Sequence, residues 1–264
     1  MAQKVGLIGF PYDLNSSFLK GPSEAPDLIR TAMVSDSANI WSELGIPIDD
    51  KVYRDFGNGP SVAPNTFVNT ITTKIQEVTQ NNLFPFSLGG DHAVTYPIIK
   101  SLARHYPRLT IVQFDAHPDL YDELDGNRLS HACPFARIME EGLATRLIQI
   151  GIRTMNAHQR EQVSRFGVES IEMKNFNEDI IIDSDDPIYV SFDLDGLDPA
   201  FAPGVSHHEP GGLSTRQALN IIHRLNGHVI GGDVVEYNPR RDLNGVTAMV
   251  AAKLVKELIG KMVY

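Results

Sequence analysis

Apolar runs rich in β-branched and aromatic residues alternate with amphipathic runs from one end of this chain to the other. A chain patterned in that way is expected to build a parallel sheet covered by helices on both faces, because parallel strands need long, usually helical, crossovers. The apolar runs predict strands at residues 5–10, 84–88, 109–114, 147–152, 168–173, 187–192 and 229–235. The amphipathic runs predict helices at 25–34, 65–80, 96–106, 132–141, 157–165, 215–225 and 246–259. In the last of these, Val250, Leu254 and Leu258 recur every four residues, the stripe of a helix packed on a sheet. Gly21-Pro22, Gly57-Asn58-Gly59-Pro60 and the stretches 199–210 and 238–244 read as loops. No repeat, low-complexity tract or linker interrupts the 264 residues, so one domain over 1–264 is expected.

Composition excludes several classes of function. The chain is 42% hydrophobic and 21% charged, with no apolar run long enough to span a bilayer, so no membrane partner is expected. Met-Ala-Gln-Lys followed by Val5 to Phe10 reads as the approach to a first strand, since Gly6, Gly9 and Pro11 interrupt it too early for a signal-peptide core. A single cysteine, Cys133, rules out an internal disulfide framework and suits a reducing, cytosolic location. With no evident base beside it, Cys133 reads as a small buried residue. A net charge of -10 disfavours nucleic acid and is compatible with a cationic substrate.

The chemistry gathers at the ends of three expected strands. His92 closes Gly-Gly-Asp-His after the strand at 84–88; Asp115, His117 and Asp119 follow the strand at 109–114; Asp193 and Asp195 follow the strand at 187–192. Loops leaving the carboxyl ends of parallel strands form the ligand crevice in such sheets. Side chains alternate faces along a strand, so residues two apart should converge within each series. Gly89-Gly90 lets the backbone turn and approach closely, aiming His92 inward. Asp115, Asp119, Asp193 and Asp195 gathered without cations would repel and could not all stay ionised. Two divalent ions would cancel those charges, whereas one would leave a surplus. Oxygen-rich ligation with a minority of imidazole suits Mn²⁺ or a similar hard ion better than a structural zinc. Two such ions can bring a water's pKa toward neutrality and hold the hydroxide as a nucleophile, so hydrolysis is expected, with Asp119 also orienting that nucleophile.

Two further residues complete the expected site. His131, in a polar loop ahead of a helix, can carry a proton to a leaving group. Glu236 ends another strand at the same crevice, where its carboxylate can pair with a planar cation such as a guanidinium. His105, His158, His223 and His228 read as surface or structural histidines. His207 and His208 lie in a Pro-Gly-rich loop that should rim the crevice, and for them substrate contact, support of the site or neither all stay open.

These residues together resemble the ureohydrolase family of arginases, agmatinases, guanidino-acid hydrolases and formiminoglutamases. The likeness is carried by Gly89-Gly90-Asp91-His92, Asp115-Ala116-His117-Pro118-Asp119, Ser191-Phe192-Asp193-Leu194-Asp195-Gly196-Leu197-Asp198-Pro199 and Glu236 with Asn238-Pro239, and it runs from Val5 to the C-terminus. It implies a three-layer α/β/α fold around a mainly parallel eight-stranded sheet, and two Mn²⁺ ions bridged by hydroxide. His92, Asp115, Asp119 and Asp193 would serve one ion or the bridge; Asp115, His117, Asp193 and Asp195 would serve the other or the bridge. The resemblance further implies proton shuttling by His131, guanidinium binding by Glu236, urea as product, and a homo-oligomer, trimer or hexamer.

The stretches 123–138, 201–212 and 247–255 look most like plant arginases, which favours L-arginine as substrate and L-ornithine as the second product. The loop before His131 lacks the Ser-Gly-Asn segment with which animal and many bacterial arginases read the α-carboxylate. Asn156 stands where those enzymes place an acidic residue for the α-amino group. Asn127, Asn156 and His207 are therefore the candidate contacts for the substrate tail, and agmatine or another guanidino or formimino compound is the alternative substrate. From other classes, a binuclear phosphoesterase would want an Arg or Lys clamp, which the ligand segments lack. A binding protein without turnover would have no use for His131 and Glu236.

Overall fold

The computed structural model describes residues 4–264, so the reading of residues 1–3 as a lead-in lies outside it. The strands are β1 (Val5–Gly9), β2 (Tyr53–Asn58), β3 (Phe84–Leu88), β4 (Thr110–Phe114), β5 (Arg146–Ile152), β6 (Glu169–Glu172), β7 (Ile188–Asp193) and β8 (Val229–Val235). They form one all-parallel sheet in the order β2-β1-β3-β8-β7-β4-β5-β6. The helices are α1 (Ala25–Met33), α2 (Phe67–Gln80), α3 (Thr95–Leu102), α4 (Pro134–Glu140), α5 (Ala157–Phe166), α6 (Thr215–Arg224) and α7 (Val246–Val263). Every expected strand and helix forms, with ends moved by a few residues.

The strand β2 escaped the sequence reading. Its residues, Tyr-Arg-Asp-Phe-Gly-Asn, are mostly exposed and show no apolar alternation. It exists because it pairs along β1 at the sheet edge, Val5 opposite Tyr53 and Leu7 opposite Asp55. Charged, short edge strands blunt unwanted pairing, and for the same reason they carry little periodic signal. The last helix runs four residues beyond its expected end, through Gly260, whose bare Cα packs against Ser42, where an added Cβ would lie 2.8 Å from the hydroxyl oxygen.

Alternation along the strands separates two cores. Val112 and Phe114 of β4, with Val190 and Phe192 of β7, pack toward α1, α6 and α7. Ile111 and Tyr189 of the same strands pack toward α2, α3 and α4. That is the three-layer α/β/α architecture.

Strand order then places the site. β3 and β4 are consecutive in sequence but lie three positions apart, because β8 and β7 occupy the places between them. The loops after β3 and β4 diverge there and leave the crevice expected where a parallel sheet reverses its winding. Gly90 is essential to this arrangement through close approach, since an added Cβ would lie 1.7 Å from the carbonyl oxygen of Tyr12. Gly90→Ala is expected to destabilise the fold by roughly 3 kcal/mol, the upper part of the usual range for overpacking. Thermal unfolding of the two proteins checks it, and equal melting temperatures would refute the close-packing account.

Candidate metal centre and substrate cavity

The six expected ligands come together at the ends of β3, β7 and β4, but not by strand alternation alone. The β4 ladder stops at Phe114, and Asp115, His117 and Asp119 converge through the turn that follows. Asp115 Oδ1 accepts the His117 amide N–H at 2.6 Å, and Asp119 takes a left-handed conformation with φ of 50°. Asp195 likewise lies in a short 3-10 turn, Leu194–Gly196, pinned by its N–H to Asp193 Oδ1 at 2.8 Å. The convergence expected from alternation is therefore corrected in its cause: extended backbone would carry alternate side chains away along the strand axis, whereas turns fold them back.

Two donor clusters result. His92 Nδ1 lies 3.1, 3.0 and 3.2 Å from carboxylate oxygens of Asp115, Asp119 and Asp193. His117 Nδ1 lies 3.4 Å from Asp115 Oδ1 and 3.1 Å from Asp195 Oδ2. Asp115 belongs to both, and within each of the triads His92-Asp115-Asp119 and Asp115-His117-Asp195 the donor atoms lie within 4.8 Å of one another. Although three oxygens surround it, His92 Nδ1 makes no directed hydrogen bond. An imidazole nitrogen and three carboxylate oxygens that face one point without bonding each other fit a cation at that point, and the oxygen-rich set fits a hard one.

Electrostatics agree. Burial opposes charging of His92, yet Asp115, Asp119 and Asp193 outweigh it and hold its pKa well above the usual value. Burial, then the neighbouring Asp195 and Asp115, push Asp193 well above the ordinary carboxylate range, and burial with Asp115 lifts Asp119 to about 6. Without positive charge these carboxylates cannot all ionise.

Buried polar side chains fix the ligands from below. Asp233 accepts hydrogen bonds from Ser191 Oγ at 2.7 Å, Tyr189 Oη at 2.7 Å and Thr95 Oγ1 at 2.9 Å. With its proton committed to Asp233, Ser191 Oγ can only accept from His92 Nε2, 3.0 Å away. A proton of His92 is thereby held on Nε2, so a cation that displaced the other proton would meet the Nδ1 lone pair among the carboxylates. Gln113 Nε2 similarly donates to Asp115 Oδ2 at 2.7 Å.

Beside the clusters, Glu236 takes a left-handed conformation, φ 63°, held by its N–H to Gly90 O at 2.9 Å. A non-glycine residue kept there costs on the order of 1–3 kcal/mol, a strain found mostly at functional sites. Its Oε1 accepts from the His92 amide at 2.9 Å and meets His131 Nδ1 at 2.8 Å, while no partner for Oε2 occurs among the described residues. On its other side His131 Nε2 receives the Ser17 N–H at 3.1 Å and lies 2.8 Å from Ser17 Oγ. Burial disfavours a charged His131, but Glu236 prevails and lifts its pKa to about 9.

A cavity of about 230 Å³ opens over these groups. His117, Asp119, His131, Asp193, Asp195, His207 and Glu236 line it, together with Ser17, Tyr121, Thr154 and Gln159, which the sequence reading missed because nothing in their spacing marks them. His207 stands over the reacting end, its ring 5.6 Å from His117 and 5.5 Å from His131. His208 turns away and bonds Pro203 O. Asn127 and Asn156 are exposed and do not line the cavity, which corrects their expected contact with substrate. The Asn127 amide is spent on the Leu129 N–H and Asn15 Oδ1. Asn156 caps α5 by accepting the Gln159 N–H, and its Nδ2 donates to Tyr121 Oη.

The model of the arginase family matches residues 3–260. The chain belongs to the arginase family. It is 46% identical to Arginase 1, mitochondrial, of rice, Oryza sativa subsp. indica, over 97% of this chain and 81% of that protein. It is equally identical to the Arabidopsis thaliana protein of the same name, over 97% of this chain and 80% of that one. The solved arginase of Medicago truncatula superposes with a TM-score of 0.94 at 43% identity, covering 99% of this chain and 88% of that one. Those names overturn one expectation. The rice and Arabidopsis proteins are called mitochondrial, so the cytosol does not stand as the default location, and a lone buried cysteine is uninformative between two reducing compartments.

Proposed function

We propose that this chain, as one domain over 1–264, is a binuclear manganese hydrolase that converts L-arginine and water to L-ornithine and urea. The observation that carries the reading is the pair of donor clusters sharing Asp115, with the free Oε2 of Glu236 and the ring of His131 on the same cavity wall. His92, Asp115, His117, Asp119, Asp193 and Asp195 would hold the two ions. When bound, divalent ions make a water nucleophilic near neutral pH and offset negative charge that develops on the reacting centre.

The side chains divide the remaining work. Glu236 Oε2 accepts guanidinium N–H groups, while Oε1 stays fixed by His92 N–H and His131. Asp119 accepts from the attacking water and orients it. As the bond between the guanidinium carbon and the leaving nitrogen breaks, His131 Nε2 delivers a proton to that nitrogen. Between turnovers Ser17 answers both states of the ring, its N–H donating to the neutral form and its Oγ accepting from the charged one, and Nε2 exchanges that contact for the leaving nitrogen when it delivers the proton.

One observation favours agmatine as a second reading: no Lys or Arg among the described residues lines the cavity to pair with an α-carboxylate. Urea release by manganese-loaded protein, assayed with L-arginine and agmatine beside a chelated control, tests the proposal. Metal-dependent urea from arginine supports it; urea from agmatine alone replaces it with the second reading, and urea from neither removes both. A trimer or hexamer belongs to the same proposal, checked by sedimentation.

A further inference from the structure

The substrate tail needs a recognition device other than Asn127 and Asn156. If arginine is the substrate, its carboxylate enters a cavity whose own carboxylates, Asp119, Asp193, Asp195 and Glu236, are committed to metal and guanidinium. The carboxylate therefore requires hydrogen-bond donors, and in the absence of lining Lys or Arg these must be neutral. Most neutral donors of the lining are already engaged. Thr154 Oγ1 bonds Ala116 O at 3.2 Å and Ser17 Oγ lies against His131 Nε2, while His207, edge-on to His117 and tilted against His131, stands over the reacting end rather than the tail.

Two donors remain. Gln159, in the first turn of α5, is 2% exposed, lines the cavity and has no side-chain partner among the described residues. Its side-chain amide opens onto the cavity rather than being sealed in the interior, so a ligand there can complete its hydrogen bonds. Tyr121 Oη accepts from Asn156 Nδ2 at 2.6 Å, which leaves its own proton uncommitted. Asn156 thus holds both donors at once, its Oδ1 on the Gln159 N–H at 2.9 Å and its Nδ2 on the tyrosine oxygen. Both belong to the segments that follow β4 and β5, whereas Glu236 follows β8. Since β8 and β5 lie three positions apart in the sheet, the segments carrying Glu236 and Gln159 reach the cavity from different sides. The head of an arginine whose guanidinium sits on Glu236 points toward Gln159, where the α5 N-terminus also favours a negative group.

We propose that Gln159 and Tyr121, positioned by Asn156, form the donor wall that reads the substrate's carboxylate and so selects arginine over its decarboxylated analogue. The inference rests on the arginine reading above. A site built to hydrogen-bond a group discriminates strongly against ligands lacking it.

The test compares kcat/KM for L-arginine, 4-guanidinobutyrate and agmatine in the manganese-loaded wild type, Gln159→Leu and Tyr121→Phe. The first two substrates carry the carboxylate and the third does not. The expected result is a fall of at least about tenfold in the arginine-to-agmatine ratio for Gln159→Leu, with 4-guanidinobutyrate falling alongside arginine and the loss seated in KM. Tyr121→Phe, which removes one oxygen, should shift the ratio the same way by a smaller factor and guards against a misfolded first variant. Unchanged ratios in both variants, with arginine turned over by the wild type, overturn the wall and leave the arginine reading intact. Wild-type preference for agmatine overturns the wall while sparing guanidino hydrolysis, and no urea from any substrate overturns both.

Discussion

Asp115→Ala is expected to lower kcat on the order of 10³-fold or more and to reduce bound manganese to below one ion per chain. Asp115 is the one residue common to both donor clusters, 3.1 Å from His92 Nδ1 through one oxygen and 3.4 Å from His117 Nδ1 through the other. Its removal takes a ligand from each ion at once, and metal assistance is worth several kcal/mol of barrier, or about three powers of ten. Asp195→Ala, which touches only the His117 cluster, should by contrast leave about one ion bound. Metal content by elemental analysis, read beside activity, decides the matter. Full manganese occupancy in Asp115→Ala would sink the shared-ligand reading, and identical losses in the two variants would show that the clusters are not separate sites.

His131→Ala is expected to act on turnover without acting on metal. The His131 ring reaches Glu236 and Ser17 rather than either donor cluster, so both ions should remain while kcat falls by roughly 10²–10⁴, the usual worth of a positioned general acid. Its pH dependence follows from the sign of its shift. Glu236 overcomes burial and raises the His131 pKa to about 9, so the ring is protonated at neutral pH and loses its proton as pH rises through about 9. A reaction that needs the protonated ring should therefore decline on the alkaline side of about 9 in the wild type. That limb should vanish from the residual activity of His131→Ala. Loss of manganese in His131→Ala would refute the assignment, as would an alkaline limb that survives the substitution.

The residues that failed as substrate contacts are as instructive as those that converged. Asn127 and Asn156 stood at plausible positions along the chain, but an asparagine has one carbonyl and one amide group, and local backbone claimed the carbonyl of each. Helix caps and turns compete for such side chains. Whether a polar residue near a site serves the substrate or the fold depends on which partner reaches it first, and that is decided in three dimensions. The same holds for Gln159, which reads as an ordinary helical surface residue until α5 is seen to bury it against the cavity.

Sequence alone determined the layer architecture and singled out the carboxylates and imidazoles that the fold gathers into two donor clusters. Alternation of apolar and amphipathic runs obeys local periodicity, and carboxylates with imidazoles at strand ends announce their chemistry by type and spacing. Tertiary structure alone decided the rest. Nothing periodic places β8 and β7 between β3 and β4, yet only that order brings Glu236, from the far end of the chain, against the His92 amide and the His131 ring. Nothing periodic marks β2, which pairing with β1 and the Arg30 side chain on Asp55 and Gly57 O sustain. Local rules act over a few residues and leave a repeating trace in the chain, whereas strand order, turn conformation at Asp119 and Glu236, and the competition for each polar side chain are settled by long-range packing that leaves none.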